Sequence, residues 1–360
     1  MSAHMFAGAS TPIGFVDLFD HVLPVKGAKK RLFLKGASGS GKSTFIKKVA
    51  VRFEKAGIEV ERFHCANDTH SLDAIAVPSV GLSIVDATSP HAHDPEIAVV
   101  VDKILDFAEF LDESKLEPYL DELKSLAANK KLFSKKVAGY LVAAGSMYKA
   151  ENSAFEDTLD KQAIKRSAYN YFDELIECAQ PTAQCDKAHF RKLFLSALTP
   201  DGYISFADKL FEGCRVYGIA CDIGCGSNIF LNELSELAIS HKISIINFYS
   251  PIDPAQIEYV YFPQISTAFA CVSGHFTYSG VISELIDLNE YVNMEMLEST
   301  KILEPDCGIF DRVIDKTISA MYCARKLHAR TEDIYVSAMD FDALNKASEV
   351  VINDLLGLIE

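Results

Sequence analysis

This 360-residue chain repeats itself, and the repeat limits its possible folds more than any other feature. Thr11-Pro12-Ile13-Gly14-Phe15 recurs as Thr199-Pro200-Asp201-Gly202-Tyr203, and Phe6 and Ala9 are matched by Phe194 and Ala197. Further on, at one constant offset, Gly39, Gly41 and Phe45 fall on Gly224, Gly226 and Phe230, and Phe63, Asp68 and Pro78 on Phe248, Asp253 and Pro263. Leu105-Asp106-Phe107-Ala108-Glu109-Phe110 resembles Ile286-Asp287-Leu288-Asn289-Glu290-Tyr291. Chance similarity does not keep its order across half a chain. The length also suits two hydrophobic cores better than one. Two homologous domains are expected, 1–188 and 189–360, packed together.

Each half has the same grammar. In the first, Arg31–Lys35 reads as a short apolar strand ending in a Gly-rich turn, and Lys42–Lys55 as a helix with Phe45, Ile46, Val49, Ala50 and Phe53 on one face. Gly57 ends that helix, Ile58–Cys65 reads as a second strand and Leu82–Val85 as a third. Strands alternating with helices predict a parallel sheet covered on both faces. From Glu96 the pattern turns helical: Leu116, Leu120, Leu123, Ala127, Phe133, Val137, Leu141, Ala144 and Tyr148 keep helical spacing, and Phe155–Ala179 follows. Ile309–Leu327 and Phe341–Leu358 match them in the second half. The expected fold class is α/β: tandem P-loop NTPase-like parallel sheets flanked by helices, each half with an added helical hairpin.

Gly36-Ala37-Ser38-Gly39-Ser40-Gly41-Lys42-Ser43-Thr44 fits GxxxxGK[ST] in full, between a predicted strand and an amphipathic helix. Its glycines let the backbone curl so that N–H groups point inward at phosphate oxygens, and the helix adds its positive end. Lys42 is expected to reach the β- and γ-phosphates, Ser43 to hold Mg²⁺ and Thr44 to meet the α-phosphate. The expected ligands are ATP or another nucleoside triphosphate and Mg²⁺.

Asp86 ends the apolar run Leu82-Ser83-Ile84-Val85, where a carboxylate at a strand's C-terminal end can help hold Mg²⁺. Asp73 is the weaker competitor. Asp68 and His64 follow the second strand, and Asp68 is a candidate base for water or an acceptor hydroxyl. His91 is a candidate contact to the γ-phosphate, although a structural role suits each of these three better. His91, His93 and Asp94 form only a weak metal pattern.

The second half has lost this chemistry. Gly36 becomes Cys221, Lys42 becomes Ser227, Ser43 becomes Asn228 and Asp86 becomes Cys271; Gly224 and Gly226 remain. One working site per chain is expected. The net charge of −15, without a basic block, disfavours nucleic acid and anionic membrane as partners. Nine scattered cysteines without CxxC spacing, no signal-peptide pattern, and an interrupted apolar stretch at Val137–Tyr148 predict a soluble cytoplasmic protein with free thiols.

Several blocks go beyond the phosphate loop: His4–Phe15, Phe63-His64-Cys65 through Ser71-Leu72-Asp73, Ile84-Val85-Asp86-Ala87-Thr88 with Pro90-His91, and Leu198–Tyr203. On these the chain resembles a family of bacterial tandem P-loop ATPase-like proteins with two homologous halves, over nearly its whole length. The resemblance implies ATP binding and hydrolysis but supplies no substrate or protein partner. In many relatives both loops are intact; here the second is not. Three functions stay open: an NTPase, a small-molecule kinase, and a non-catalytic nucleotide-gated interaction protein. Ala87, where many hydrolytic ATPases place a Glu, weighs against a motor-type ATPase. Against the kinase, no lid with paired arginines is evident, Lys165-Arg166 being the nearest candidate.

Overall fold

The computed structural model describes residues 2–178, 189–221, 226–296 and 307–359. The chain begins with β1 (Ala3–Met5) and a small hairpin of β2 (Gly8–Thr11) and β3 (Gly14–Asp17). Next come β4 (Lys30–Lys35), α1 (Lys42–Lys55), β5 (Glu61–His64), β6 (Leu72–Val77), β7 (Leu82–Asp86) and β8 (Asp102–Asp106). Two long helices follow, α2 (Leu120–Phe155) and α3 (Lys161–Cys178).

The second half repeats the pattern. It has β9 (Phe190–Leu193), a hairpin of β10 (Ser196–Thr199) and β11 (Gly202–Ser205), β12 (Arg215–Ala220), α4 (Gly226–Ser240) and β13 (Ile245–Tyr249). Then come β14 (Ile257–Phe262), β15 (Thr267–Cys271), β16 (Glu284–Asp287), α5 (Cys307–Ala338) and α6 (Phe341–Leu356).

The result is an α/β protein with two six-stranded sheets, ordered β1-β5-β6-β7-β4-β8 and β9-β13-β14-β15-β12-β16. The sheets are mixed, not purely parallel as expected. β6 runs antiparallel to β5 and β7, and β14 antiparallel to β13 and β15. The expected third strand thus has an extra neighbour, β6. The reason is the connection: only Pro78–Gly81 separates β6 from β7, too short for a crossover, with Gly81 closing the turn at φ 71°.

The expectation of helix from Glu96 is also corrected, since Asp102–Asp106 is an edge strand parallel to β4. The buried Asp102 carboxylate holds it there. It accepts Arg31 Nε at 2.7 Å and Nη2 at 2.8 Å, and the N–H groups of Glu96 and Ile97 at 2.7 and 2.8 Å.

Strand alternation divides the apolar side chains between two faces. In the first sheet, Leu32, Leu34, Ile75, Val77, Leu82 and Ile84 meet α1, whereas Phe33, Phe63, Ala74, Ala76 and Val85 meet Val216, Phe248, Tyr259 and Ala268 of the second sheet. Helices therefore cover one face of each sheet, and the other half covers the remaining face.

The helical hairpins do not stay with their own halves. Ile164, Ala168, Phe172 and Leu175 of α3 pack into the second sheet's core beside Phe230 and Leu234. Leu344, Ile352 and Leu355 of α6 pack into the first sheet's core beside Phe45, Ile46 and Phe53. Backbone bonds lock each crossing: Asp112 N to Ala338 O and Asp340 N to Phe110 O, both 2.9 Å, and Asp160 N to Tyr291 O and Asn293 N to Thr158 O, at 2.9 and 2.7 Å. Between the crossings α2 and α5 pack side by side in the most extensive helix pairing of the described residues. None of the described helices is long and apolar enough to cross a membrane.

Two expectations follow. A fragment ending at residue 188 lacks α6. Leaving Leu344, Ile352 and Leu355 out of the first core forfeits about 1.5–3 kcal/mol each, which is comparable with a domain's whole stability of about 5–15 kcal/mol. The fragment should show no cooperative thermal transition by circular dichroism until residues 189–360 are co-expressed with it; a native-like transition alone would contradict the exchange.

Asp102→Ala should lower unfolding free energy by about 3 kcal/mol, because it strands a buried guanidinium. The Arg31 side chain, aided by the two backbone N–H groups, holds the Asp102 carboxyl down at about 2. Its contribution is therefore complete above about pH 4 and lost as pH falls toward 2, so wild type and variant should converge in urea midpoint across that window.

Candidate functional site

β4 carries a run of buried apolar residues into Gly36, and the loop then turns through three glycines at positive φ: Gly36 at 136°, Gly39 at 75° and Gly41 at 91°. Two of these positions are also crowded. A Cβ on Gly36 would stand 2.9 Å from Ser40 Oγ and 3.1 Å from Phe107 Cβ; one on Gly39 would stand 2.9 Å from the Glu332 carbonyl oxygen. The sequence supplies glycine where the backbone needs both the conformation and the space. Gly41 caps α1 without a side-chain hydrogen bond to the first turn.

Lys42 is buried, and its ammonium donates to the carbonyls of Ala37 at 2.8 Å and Gly36 at 3.2 Å. It also lies 3.7 Å from Asp86 Oδ2. Strand order produces that pair, because β7 is the parallel neighbour of β4 and Leu34 is in register with Asp86. Asp86 Oδ1 accepts the Thr88 N–H at 3.0 Å and hydroxyl at 2.6 Å, which orients the carboxylate. Ser43 Oγ accepts the Leu72 N–H at 2.9 Å, tying the first turn of α1 to β6. Ser40 Oγ is buried with no hydrogen-bond partner among the described residues. Ala37 and Ser38 are half-buried in the loop, and Thr44 is exposed on α1.

Asp73, on β6, is more prominent than its place in the sequence suggested. In the β6–β7 register Ala74 faces Val85, one residue from each of the two carboxylates. Burial pushes the Asp73 carboxyl up to about 6, with His91 pulling it down and Asp86 pushing it further up. His91 stands against both strands: Nδ1 donates to the Asp86 carbonyl at 2.6 Å, Nε2 lies 3.7 Å from Asp73 Oδ2, and the ring stacks on Phe19 at 4.7 Å.

The remaining candidates separate. Asp68 closes the turn before β6, accepting the His70 N–H at 3.2 Å and the Ser71 hydroxyl at 2.6 Å. His64 has both ring nitrogens engaged, by the Thr69 carbonyl and by His4 Nδ1, each at 2.7 Å, and packs on Phe206 of the other half. It is an interface residue. His93 pairs with Asp17 at 3.2 Å and Asp94 is exposed. Among the described residues no group of three His, Cys, Asp or Glu side chains is placed to hold a metal, so the His91, His93 and Asp94 pattern forms no such cluster. Lys165 pairs with Glu233 of α4 at 2.7 Å, because α3 has crossed to the other sheet; the Lys165-Arg166 lid candidate is therefore removed from the loop.

Three residues that sequence reasoning missed stand over the loop. The Glu332 carbonyl touches Gly39; the Glu332 carboxylate lies 3.5 Å from His328; and the Lys130 ammonium donates to His328 Nδ1 at 2.9 Å. Burial, together with Lys130 and Lys42, pulls the His328 imidazole down to about 4. Only the exchange of helices brings these residues to the loop, and no local motif announces it.

The equivalent place in the second half is built differently. Gly224 lies outside the described residues. Cys221 is buried, and the Cys271 thiol, pushed up by burial, donates to the Ser273 carbonyl at 3.3 Å. Asn228 Oδ1 accepts the Ile257 N–H at 3.1 Å, repeating the strand tether of Ser43. Glu258, in the place of Asp73, is pushed up to about 7 by burial and accepts the Ser196 hydroxyl at 3.0 Å.

The chain matches no protein-family model, no curated protein and no solved structure.

Gly39→Ala tests the contact between loop and arm. It adds a Cβ at φ 75° against the Glu332 carbonyl, whereas Gly57, at φ 79°, has open space around it. Gly39→Ala should lower stability by about 1–3 kcal/mol and cost more than Gly57→Ala. It should also raise amide exchange across residues 328–336; equal losses without that exchange signature would leave the contact unimportant.

Proposed function

We propose that the first half is a Mg-dependent nucleoside-triphosphate site of the P-loop kind and that it hydrolyses its ligand, most simply ATP. The Lys42 ammonium carries this reading: it is bound to two loop carbonyls and stands 3.7 Å from Asp86 Oδ2. A buried lysine inside a glycine turn, facing a strand-end carboxylate, suits a ligand that brings several phosphate charges and a divalent cation together.

The residues fit such a ligand. Three glycines at positive φ let the loop curl as a phosphate cradle requires, and Ser40 offers a buried hydroxyl with no partner among the described residues. Ser43 and Asp86 are the pair to hold Mg²⁺, which when bound supplies positive charge to the β- and γ-phosphate oxygens. Lys42 shifts from the loop carbonyls to those oxygens.

Asp73 is the group to take the proton. It lies beside Asp86 in the β6–β7 register and 3.7 Å from His91 Nε2, whereas both oxygens of Asp68 already hold a turn. Ala87, buried in the core between the sheets, offers no such group. As a water oxygen bonds to the γ-phosphorus, the bond to the β–γ bridging oxygen breaks; Asp73 receives the water proton, and nucleoside diphosphate and phosphate are released. The second half serves as scaffold, since it keeps the tether through Asn228 and has Ser227 and Cys271 where Lys42 and Asp86 stand.

Loss of a charge-assisted phosphate contact is worth about 1.5–3 kcal/mol, so Lys42→Ala should weaken ATP binding about tenfold or more. Asp86→Asn should blunt the magnesium dependence. Asp73→Asn should keep binding and reduce phosphate release by about a hundredfold or more. Calorimetry with a non-hydrolysable ATP analogue should saturate near one per chain. Unchanged binding by a folded Lys42→Ala protein would remove the reading, and a second binding event that survives that substitution would restore the second loop to function.

A further inference from the structure

The two long helices pack along each other, and the residues they carry at equivalent positions differ in chemistry. Asp160 N-caps α3, accepting the Ala163 N–H at 3.0 Å, and Asp340 N-caps α6, accepting the Ala343 N–H at 2.9 Å. Aligning the arms on these twin caps sets Lys130 opposite Phe310, His328 opposite Tyr148 and Glu332 opposite Asn152. Over the degenerate side, Phe310 is fully buried, stacks on His275 at 4.0 Å and packs in an apolar cluster with Leu141, Leu198 and Tyr148. Tyr148 lies within electrostatic reach of Asp253, Glu258 and Cys271, the counterparts of Asp68, Asp73 and Asp86.

Over the intact side the same positions hold a hydrogen-bonded polar chain. Lys130 donates to His328 at 2.9 Å, and His328 lies 3.5 Å from Glu332, whose backbone rests on Gly39. His328 and Glu332 lie within electrostatic reach of both Lys42 and Asp68. The arm positions that hold Phe310 and Tyr148 on the side without the lysine hold Lys130 and His328 on the side that has it.

We propose that Lys130 of α2, oriented by His328 of α5, binds the terminal phosphate of a nucleoside triphosphate seated in the Gly36–Thr44 loop, so that each half of the chain contributes to the contact. The proposal rests on the nucleotide reading above and names the groups that distinguish triphosphate from diphosphate. In a loop of this type the lysine reaches the β- and γ-phosphates, so groups gathered around its ammonium meet the terminal end of the ligand rather than the base. Lys130 has three N–H donors, and only one is needed for His328. His328 orients that ammonium, and Glu332 holds His328 one helical turn away. A phosphate bound there joins α2, α5 and the loop.

The test is equilibrium binding of a non-hydrolysable ATP analogue and of ADP, each with Mg²⁺, to the full chain. It compares wild type with Lys130→Met, His328→Gln, Lys42→Ala and, as a surface control, Lys131→Met. Lys130→Met should weaken the triphosphate about tenfold and leave ADP within about twofold, the loss expected of one charge-assisted phosphate contact. His328→Gln should shift the ratio in the same direction by less, and Lys131→Met should leave it unchanged. An unchanged triphosphate-to-diphosphate ratio in both arm variants, or equal weakening of both ligands, would overturn the proposal while wild-type binding and its loss in Lys42→Ala preserve the nucleotide reading. If wild type binds neither ligand, both fall together.

Discussion

Each sheet takes its outer helix from the other half, and the rest of the structure depends on that exchange. α1 alone leaves apolar strand surface uncovered, and Leu344, Ile352 and Leu355 of α6 close it; α3 does the same for the second sheet. To deliver those helices, α2 and α5 must cross between the halves, and they pack along each other as they do. Burying apolar surface therefore dictates that a helix from one repeat passes over the loop of the other. The contact of Glu332 with Gly39 follows from this geometry.

The two halves also share the inner faces of their sheets, so each half completes the other's core. Phe33, Phe63 and Val85 meet Val216, Phe248 and Tyr259 in one core. Arg191 reinforces the junction, holding Glu61 at 2.7 and 2.8 Å and the His21 carbonyl at 2.8 Å. A site built on the first sheet is thereby rigid on its inner side and framed by the arms on its outer side.

The comparison between repeats separates structural from chemical requirements. Ser43 and Asn228 both tether the helix after the loop to the following strand, so that contact belongs to the fold. Asp73 and Glu258 are both half-buried carboxyls, but their surroundings differ. The first has Asp86 and His91 as its electrostatic neighbours, whereas the second is satisfied by Ser196 and Ser250. The lysine, the strand-end carboxylate and the polar chain of the arms occur together on one side. On the other side serine, cysteine and aromatic side chains replace them.

The duplication, the α/β class, the β4-loop-α1 unit and the residue replacements in the second loop were all legible in the residues, because each rests on local order: apolar runs, helical spacing and glycines at fixed offsets. β6 was missed because its Ala-rich run has weak strand propensity and is set by a tight turn. β8 was missed because it is an edge strand held by the ion pair of Asp102 with Arg31, far apart in sequence. The strand-end position of Asp86 was legible, but its approach to Lys42 depended on the parallel β4–β7 pairing, and the prominence of Asp73 on the antiparallel register of β6 with β7. The sequence by itself determined which half could hold charge. Tertiary structure alone decided that Lys130 and His328, 198 positions apart, share a hydrogen bond above that loop. The reason is physical: local pattern specifies that a helix has an apolar face, but not which of two equivalent sheets will bury it.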